Sequence, residues 1–447
     1  MSDIMKISPA RIAAFEILSK IESETAFSSV LLPLYATNLS PPDRALCHQL
    51  TLGILRKQMY LDCVIGNFSK GKKIDPAVRI ALRIGLYQLL FLDRIPDYSA
   101  INDSVNLVQY AKKTSARGFV NAILRRATRE NISCEYADDI ERISVEASHP
   151  RWLIEKWIGR FGVAETERLA HSNNEISEIT FRFTARSSQK IREKFLNNWN
   201  EQKTVSVVKM SEFVEDCFIA DDIDTELLDL VENGEIYFQD EASQMVAVSI
   251  DIRSGDKFLD VCAAPGSKTT LIAGREMMKT ETVVAGDLHW PRASFLRDNC
   301  RNQGVGFVNV LQYDAESELP FANESFDVVL LDAPCSGTGT IRHNPEIRYS
   351  LKPSDLAGLS QKQLTLLQNA SKVVKQGGRL IYSTCSLETE ENEQICEKFV
   401  ADNPRFSIIK PRVPERFINA DGFAQTLPHR DNMDGFFIAA FEKVHQT

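Results

Sequence analysis

"KFLDVCAAPGSKTT", residues 257–270, decides the fold. A short apolar run ends in Asp260, passes through small residues to Pro265-Gly266, and opens into Ser267, Lys268 and Thr269 at a predicted helix start. Small side chains let a ligand approach the backbone, and a helix N-terminus offers N–H donors without partners. The same texture recurs downstream in "TVVAGDL", "GFVNVLQYD", "FDVVLLDA", "GRLIYST", "FSIIKP" and "GFFIAAFEK", with helical stretches between several of them. Strand alternating with helix after residue 236 specifies a doubly wound α/β sheet.

In an open sheet of this kind, ligands bind beyond the carboxyl ends of the strands. Asp260, Asp287, Asp314 and Asp332 close four successive predicted strands there. One aspartate capping a turn is ordinary, but four in series point to a nucleoside-containing cofactor. Asp287 suits the ribose hydroxyls, and Asp314 suits an adenine amino group. The loop after the first strand holds one glycine instead of a G-x-G-x-x-G run, so its phosphate-cradling turns are missing. S-adenosylmethionine is therefore expected in preference to NAD, on a seven-stranded, methyltransferase-type sheet.

Two of the strands end in cysteine-bearing turns, "DAPCSGTG" around Cys335 and "YSTCSLETEEN" around Cys385. Both turns should open into the same crevice. Nine cysteines are scattered at positions 47, 63, 134, 217, 262, 300, 335, 385 and 396, with no Cys-x-x-Cys pair. No disulfide framework is expected from such a pattern, and most of the cysteines read as small buried hydrophobes. The seven histidines show no zinc-ligand spacing, so no metal is expected. A nucleophilic thiol explains the paired turns better. Carbon 5 of cytosine is too poor a nucleophile to attack a sulfonium methyl until a thiolate adds to carbon 6. At an ordinary pKa of about 8.5, only about 3% of a thiol is ionised at pH 7, a deficit of roughly 2 kcal/mol. Lys268 is a candidate cation to remove it. Asp332 is a candidate for hydrogen bonding or proton transfer at N3 of the ring. A second cysteine would help the adduct break down.

The first 144 residues read as helices. "RIAAFEILSKI", "PPDRALCHQLTLGILRKQ", "PAVRIALRIGLYQLLFL" and "ARGFVNAILRRATRE" carry apolar stripes at helical spacing. The last of these turns Phe119, Val120, Ile123 and Leu124 inward and leaves Arg117, Arg125, Arg126 and Arg129 outside. Residues 1–129 hold 18 Lys+Arg against 10 Asp+Glu, a charge of +8, while residues 130–447 hold 34 against 51, a charge of −17. The overall −9 thus hides a basic N-terminal third, which suits a polyanionic partner. Residues 145–235 mix an amphipathic helix, "HPRWLIEKWIGRFG", with strand candidates "ITFRFTARS" and "KTVSVVKM". Three domains are expected: helical 1–144, a small α+β connecting domain 145–235, and the α/β domain 236–447. "MSDIMKISPA" has no basic stretch leading into an apolar one and no apolar run reaches membrane length, so a cytoplasmic protein is expected.

"DVCAAPGSKTT", "DAPCSGTG", "YSTCSLETEEN" and "DGFFIAAFEK" resemble the signature motifs of the Sun family of RNA cytosine-5 methyltransferases. The helical N-terminal third, including "RGFVNAILRR", resembles a NusB-like RNA-binding domain, a combination typical of the family's RsmB-type branch, which acts on 16S (small-subunit) ribosomal RNA. The resemblance covers nearly the whole chain. It implies that Cys385 is the nucleophile, bonded covalently to cytosine carbon 6, and that Cys335 assists release. It places S-adenosylmethionine on Cys262, Ala263, Ala264, Pro265, Gly266, Ser267 and Lys268, with Asp287, Arg292, Asp314 and Asp332. A monomer with ribosomal RNA as its partner is expected. Ser267 departs from the pattern, standing where RsmB-type proteins usually carry a second glycine, and "HWPR" is an unusual filling after Asp287.

Overall fold

Apolar residues spaced at one helical turn, started by capping side chains, build the N-terminal part of the protein. The computed structural model describes residues 7–24, 26–130, 133–200, 206–278 and 281–444, so residues 203–205 of the predicted strand "KTVSVVKM" lie outside it. The chain divides into two units. One runs to Glu175 and takes in Ile341–Leu351; the other comprises Ile176–Thr340 and Lys352–Thr447.

Among the described residues, nine α-helices open the first unit: α1 (Pro9–Glu24), α2 (Ser28–Ala36), α3 (Pro41–Ser69), α4 (Pro76–Phe91), α5 (Asp97–Tyr110), α6 (Arg117–Ala127), α7 (Asp139–Glu146), α8 (Arg151–Phe161) and α9 (Val163–Ser172). Ser40 and Asp75 cap α3 and α4, accepting hydrogen bonds from Asp43 N and Ala77 N, and each is followed by a proline whose missing N–H costs nothing at that position. The predicted stripe through Cys47, Leu50 and Ile54 is fully buried, as are Val120 and Leu124 on α6, whereas Phe119 is half-buried. Arg125 and Arg129 are exposed. Arg126 is half-buried, donates to Phe68 O and pairs with Glu130. Against the expectation of no disulfides, Cys63 and Cys134 are bonded to each other. They are 71 residues apart in sequence, and only the folding back of the segment after α6 onto α3 brings them together.

The second unit begins with a small antiparallel sheet in the order β2-β3-β1-β4, made of β1 (Ile179–Phe183), β2 (Val208–Met210), β3 (Cys217–Ala220) and β4 (Ile236–Phe238). Helices α10 (Gln189–Asn200) and α11 (Thr225–Glu232) lie within it in sequence, and α12 (Glu241–Val248) follows. Phe181, Phe195 and Phe218 form its aromatic core.

The large sheet then alternates β5 (Phe258–Asp260), α13 (Ser267–Ala273), β6 (Val283–Asp287), α14 (Trp290–Asn302), β7 (Asn309–Gln312) and β8 (Phe326–Asp332). The chain next passes through Ile341–Leu351, which carries the short helix α15 (Ile347–Ser350) and belongs to the first unit. It returns as α16 (Pro353–Lys372), β9 (Val374–Thr384), α17 (Glu393–Asp402), β10 (Phe406–Ile409), β11 (Ala424–Gln425), α18 (Pro428–Asp431) and β12 (Phe437–Lys443). The order is β10-β12-β9-β8-β5-β6-β7, with β11 paired to β12. Strands β9, β8, β5, β6 and β7 run parallel, and β12 inserts antiparallel beside β9. All seven predicted strands of this region are present. The strand order reverses at β5, which has β6 on one side and β8 on the other, and ligand crevices open at such a point. Asp260, Asp287 and Asp332 are the last residues of their strands, while Asp314 lies two residues beyond the end of β7.

Within the first unit, Arg348 on α15 is fully buried. Its guanidinium donates to Asn174 Oδ1 at 2.8 Å, Ala147 O at 3.1 Å, Asn173 O at 3.2 Å and Ser148 O at 3.3 Å. Glu346 accepts from Ser28 N at 2.7 Å and holds the start of α2. Arg348→Ala would leave Asn174 Oδ1 and Asn173 O without their donor, each buried orphan costing about 1–3 kcal/mol, while Ala147 O and Ser148 O keep Asn174 Nδ2 and the Tyr349 hydroxyl. Chemical denaturation of the variant should show a loss of at least about 2 kcal/mol. Wild-type stability would show that Arg348 is not a structural tie.

Candidate active site

Each side of the crevice is set by one strand end and the turn that follows it. After β5, Ala263 N donates to Gly286 O at 2.8 Å, closing the turn against β6. Gly266 adopts φ +100°, and a Cβ there would sit 2.5 Å from Leu296 Cδ1, so this position admits only glycine without rearrangement. The turn delivers Lys268 on the first coil of α13. Its Nζ is buried and donates to Asp332 Oδ2 at 2.7 Å, across from β5 to β8. The other oxygen of Asp332 accepts from Ser383 Oγ on β9 at 2.7 Å. On the far side, Asp287 pairs with Arg292 Nε at 3.2 Å, and Arg292 also donates to Ala264 O at 3.0 Å. Asp314 accepts from Glu316 N at 2.9 Å within its own turn.

These groups surround a cavity of about 280 Å³. Cys262, Ala264, Asp287, Arg292, Asp314, Asp332, Cys335 and Cys385 are all on its wall. Ala263, Pro265, Gly266, Ser267 and Lys268 stand behind it, and Lys268 acts on it through Asp332. The two cysteines meet as expected: their sulfurs lie 3.3 Å apart, within hydrogen-bonding distance. Two acids on one wall, small residues at Ala264 and Ala315, and a glycine-shaped turn beneath match the needs of a nucleoside with ribose hydroxyls and an amino group.

Burial governs the electrostatics. It pushes Asp260 from 3.8 up to about 7, only partly offset by the hydrogen bond from Thr269. Burial opposes the charge on Lys268, but Asp332, Cys385 and Asp260 outweigh it and hold the ammonium above its ordinary value. The hydrogen bond to Cys385, followed by burial and the charge of Glu391, drives the Cys335 thiol well upward. Cys262 is also pushed up, chiefly by burial.

Sequence reasoning missed two supports. Arg182, in the middle of β1, is buried. It donates to Gln239 Oε1 at 2.8 Å, Thr270 Oγ1 at 2.9 Å and Ser267 O at 3.0 Å, bracing the first turn of α13. The signal was an arginine inside the run "ITFRF". The second support is a set of buried polar residues behind the cysteines. The turns around Cys335 and Cys385 read as open polar loops, yet Ser336, Thr338, Ser383, Thr384 and Ser386 are all buried.

Residues 247–442 match the family model described as 16S rRNA methyltransferase RsmB/F, and residues 8–129 match the NusB family. A protein of Bacillus subtilis, named probable ribosomal RNA small subunit methyltransferase B, is 33% identical over 98% of this chain and 100% of its own length. The chain belongs to the RsmB/F family. The Klebsiella pneumoniae ribosomal RNA small subunit methyltransferase B is 31% identical over 98% of this chain and 99% of its own length. Among solved structures, that of PH0851 aligns with a TM-score of 0.81 and 28% identity, covering 98% of this chain and 100% of that one. NSun6 from Pyrococcus horikoshii, solved with SFG, shares the fold at a TM-score of 0.58 and 21% identity, over 66% of this chain and 99% of that one. This RsmB/F protein is thus an rRNA methyltransferase of the small-subunit class, with a NusB-type helical N-terminal domain and a Rossmann-like C-terminal domain. Among the described residues, no helix is long and apolar enough to cross a membrane.

The Asp260 shift makes stability pH-dependent in this RsmB/F enzyme. Below pH 3.8 the folded and unfolded states both hold the proton. As pH rises toward about 7 the unfolded chain ionises first, so stability falls across that interval and the loss is complete above it. A displacement of this size corresponds to roughly 4 kcal/mol. Asp260→Asn should therefore gain on the wild type as pH rises from 4 to 7, with the gain levelling off above. Parallel stability curves for the two proteins would contradict the assignment.

Proposed function

We propose that this protein methylates carbon 5 of one cytosine in 16S rRNA, with Cys385 bonding to carbon 6 and Cys335 assisting release. The observation that carries this reading is the 3.3 Å separation of the two sulfurs on the wall shared with Asp287 and Asp314. When bound, S-adenosylmethionine supplies an electrophilic methyl group. Asp287 would hold its ribose, Asp314 its adenine amino group, and Arg292 and the turn Cys262–Lys268 would complete the seat.

The protein's own groups divide the remaining work. A target base must leave its stack to reach the cavity. Asp332, fixed on one side by Lys268 and on the other by Ser383, would accept from N3–H once the ring takes up a proton there as the sulfur adds. Cys385, reacting as its thiolate, forms the carbon 6–sulfur bond and makes carbon 5 nucleophilic. After methylation, the carbon 5 proton passes to solvent water and the carbon 6–sulfur bond breaks with its electron pair returning to Cys385, which restores the ring double bond. Cys335, which keeps its proton, donates S–H to the departing Cys385 sulfur and stabilises it as thiolate.

The helical segment 1–144 would grip RNA phosphates, 145–235 would connect, and 236–447 would carry the chemistry. The protein would work as a cytoplasmic monomer. Cys385→Ala should abolish methyl transfer to 16S rRNA, and Cys335→Ala should accumulate a covalent protein–RNA adduct on a denaturing gel. Normal turnover by Cys335→Ala with adduct from Cys385→Ala would reverse the two roles. Replacing the exposed Arg125 and Arg129 by glutamine should weaken RNA binding and lower the slope of log affinity against log salt by about 2, one for each arginine–phosphate pair removed. An unchanged slope would remove α6 from the RNA-binding face.

A further inference from the structure

Behind the cysteines, Glu391 is completely buried in the turn between β9 and α17. Its Oε1 accepts from Ser336 N at 2.8 Å and from Gln363 Nε2 at 2.8 Å. Its Oε2 accepts from the hydroxyls of Ser336 and Ser386. Four donors converging on two oxygens describe an acceptor-only, ionised carboxylate. Ser336 follows Cys335 and Ser386 follows Cys385, so a single side chain is bonded to both cysteine turns. Gln363 adds a tie to Pro334 O at 3.0 Å, on the residue before Cys335. Tyr382 fixes the clamp from below, donating its hydroxyl to Glu391 O at 2.6 Å. A buried charge met by neutral donors is costly to fold. The strand and turn backbone could have been closed with uncharged residues.

We propose that Glu391 is a positioning residue for the methyl transfer, one carboxylate spanning the turns after β8 and β9 and setting the Cys335 and Cys385 sulfurs at reacting distance. Its negative charge adds to the Cys385 hydrogen bond and to burial in holding the proton on Cys335. The inference rests on the cysteine roles proposed above, but its geometric half can be measured without them.

Phenylarsine oxide bridges two thiols only when they are adjacent, forming two arsenic–sulfur bonds and releasing water. It should bind the full-length wild type at the Cys335–Cys385 pair, and Cys335→Ala should abolish that binding. In Glu391→Gln and Glu391→Ala, arsenical affinity should fall at least about 10-fold. kcat per folded molecule should fall about 100-fold, the effect of displacing a reacting group by about 1 Å, with KM for RNA and for S-adenosylmethionine little changed. A merely structural Glu391 would lower the folded fraction and leave kcat per folded molecule intact, which would overturn the proposal. So would wild-type arsenical binding and turnover in both variants. If Glu391→Ala does not fold, Glu391→Gln and Ser386→Ala carry the same two measurements. If the wild type methylated no cytosine while arsenical capture still depended on Glu391, the clamp would stand and the proposed reaction would fall.

Discussion

The register of one pair of parallel strands sets the geometry on which the site depends. β8 and β9 are aligned with Asp332 opposite Ser383, so the turns leaving them start side by side at the same edge of the sheet. Cys335 comes three residues after the first position and Cys385 two after the second. A slip of one residue would send every side chain on β9 to the opposite face, which the apolar cores on both sides of the sheet forbid. The same register places Ser383 against Asp332, and through Asp332 links Lys268 on α13 to both strands. Two strand ends and the first turn of a helix are tied by one carboxylate.

Around that tie, polarity is buried to an unusual depth. Gly339 N donates to Cys385 O at 2.9 Å, and Gly435 N donates to Gly339 O at 2.8 Å, threading a third segment into the cysteine turns. A Cβ on Gly339 would lie 1.9 Å from Gly435 O, so the backbones touch where a side chain would hold them apart. Thr338 Oγ1 accepts from Leu387 N at 2.9 Å, and Asn392 Nδ2 donates to Ser386 O at 2.8 Å. Satisfied networks of this kind are rigid, and each missing member leaves a neighbour unpaired in a low dielectric. Rigidity of this kind holds the two sulfurs 3.3 Å apart, within hydrogen-bonding distance of each other.

Much of this was legible in the chain because parallel strands buried on both faces read as continuous apolar runs. "FDVVLLDA" and "GRLIYST" announced their ends as clearly as their interiors, and the polar residue after each run was the informative one. Helices of the N-terminal third were equally plain, since stripes such as Cys47, Leu50 and Ile54 recur with the helical turn. What stayed hidden depends on pairings between distant residues. Nothing in the composition of "SLETEEN" marks its glutamates as interior, yet Glu388 and Glu391 are buried because turn geometry aims them inward. Arg182 sits where strand alternation would point to solvent, and the partners that make it tolerable in the interior are 57 to 121 residues away. The Cys63–Cys134 bond follows from helix packing that no spacing rule encodes.

The passage of Ile341–Leu351 into the first unit has a consequence for how this protein can be divided. The catalytic sheet is not one uninterrupted stretch of chain; its sequence leaves for the other unit shortly after Cys335 and comes back before α16. A fragment starting at Ile176 would keep every strand of the large sheet, yet carry an orphaned loop whose Arg348 is parted from all four of its acceptors. Cutting the gene between the two modules severs sequence but not structure, so exchange of N-terminal modules within this architecture would have to transplant two pieces at once.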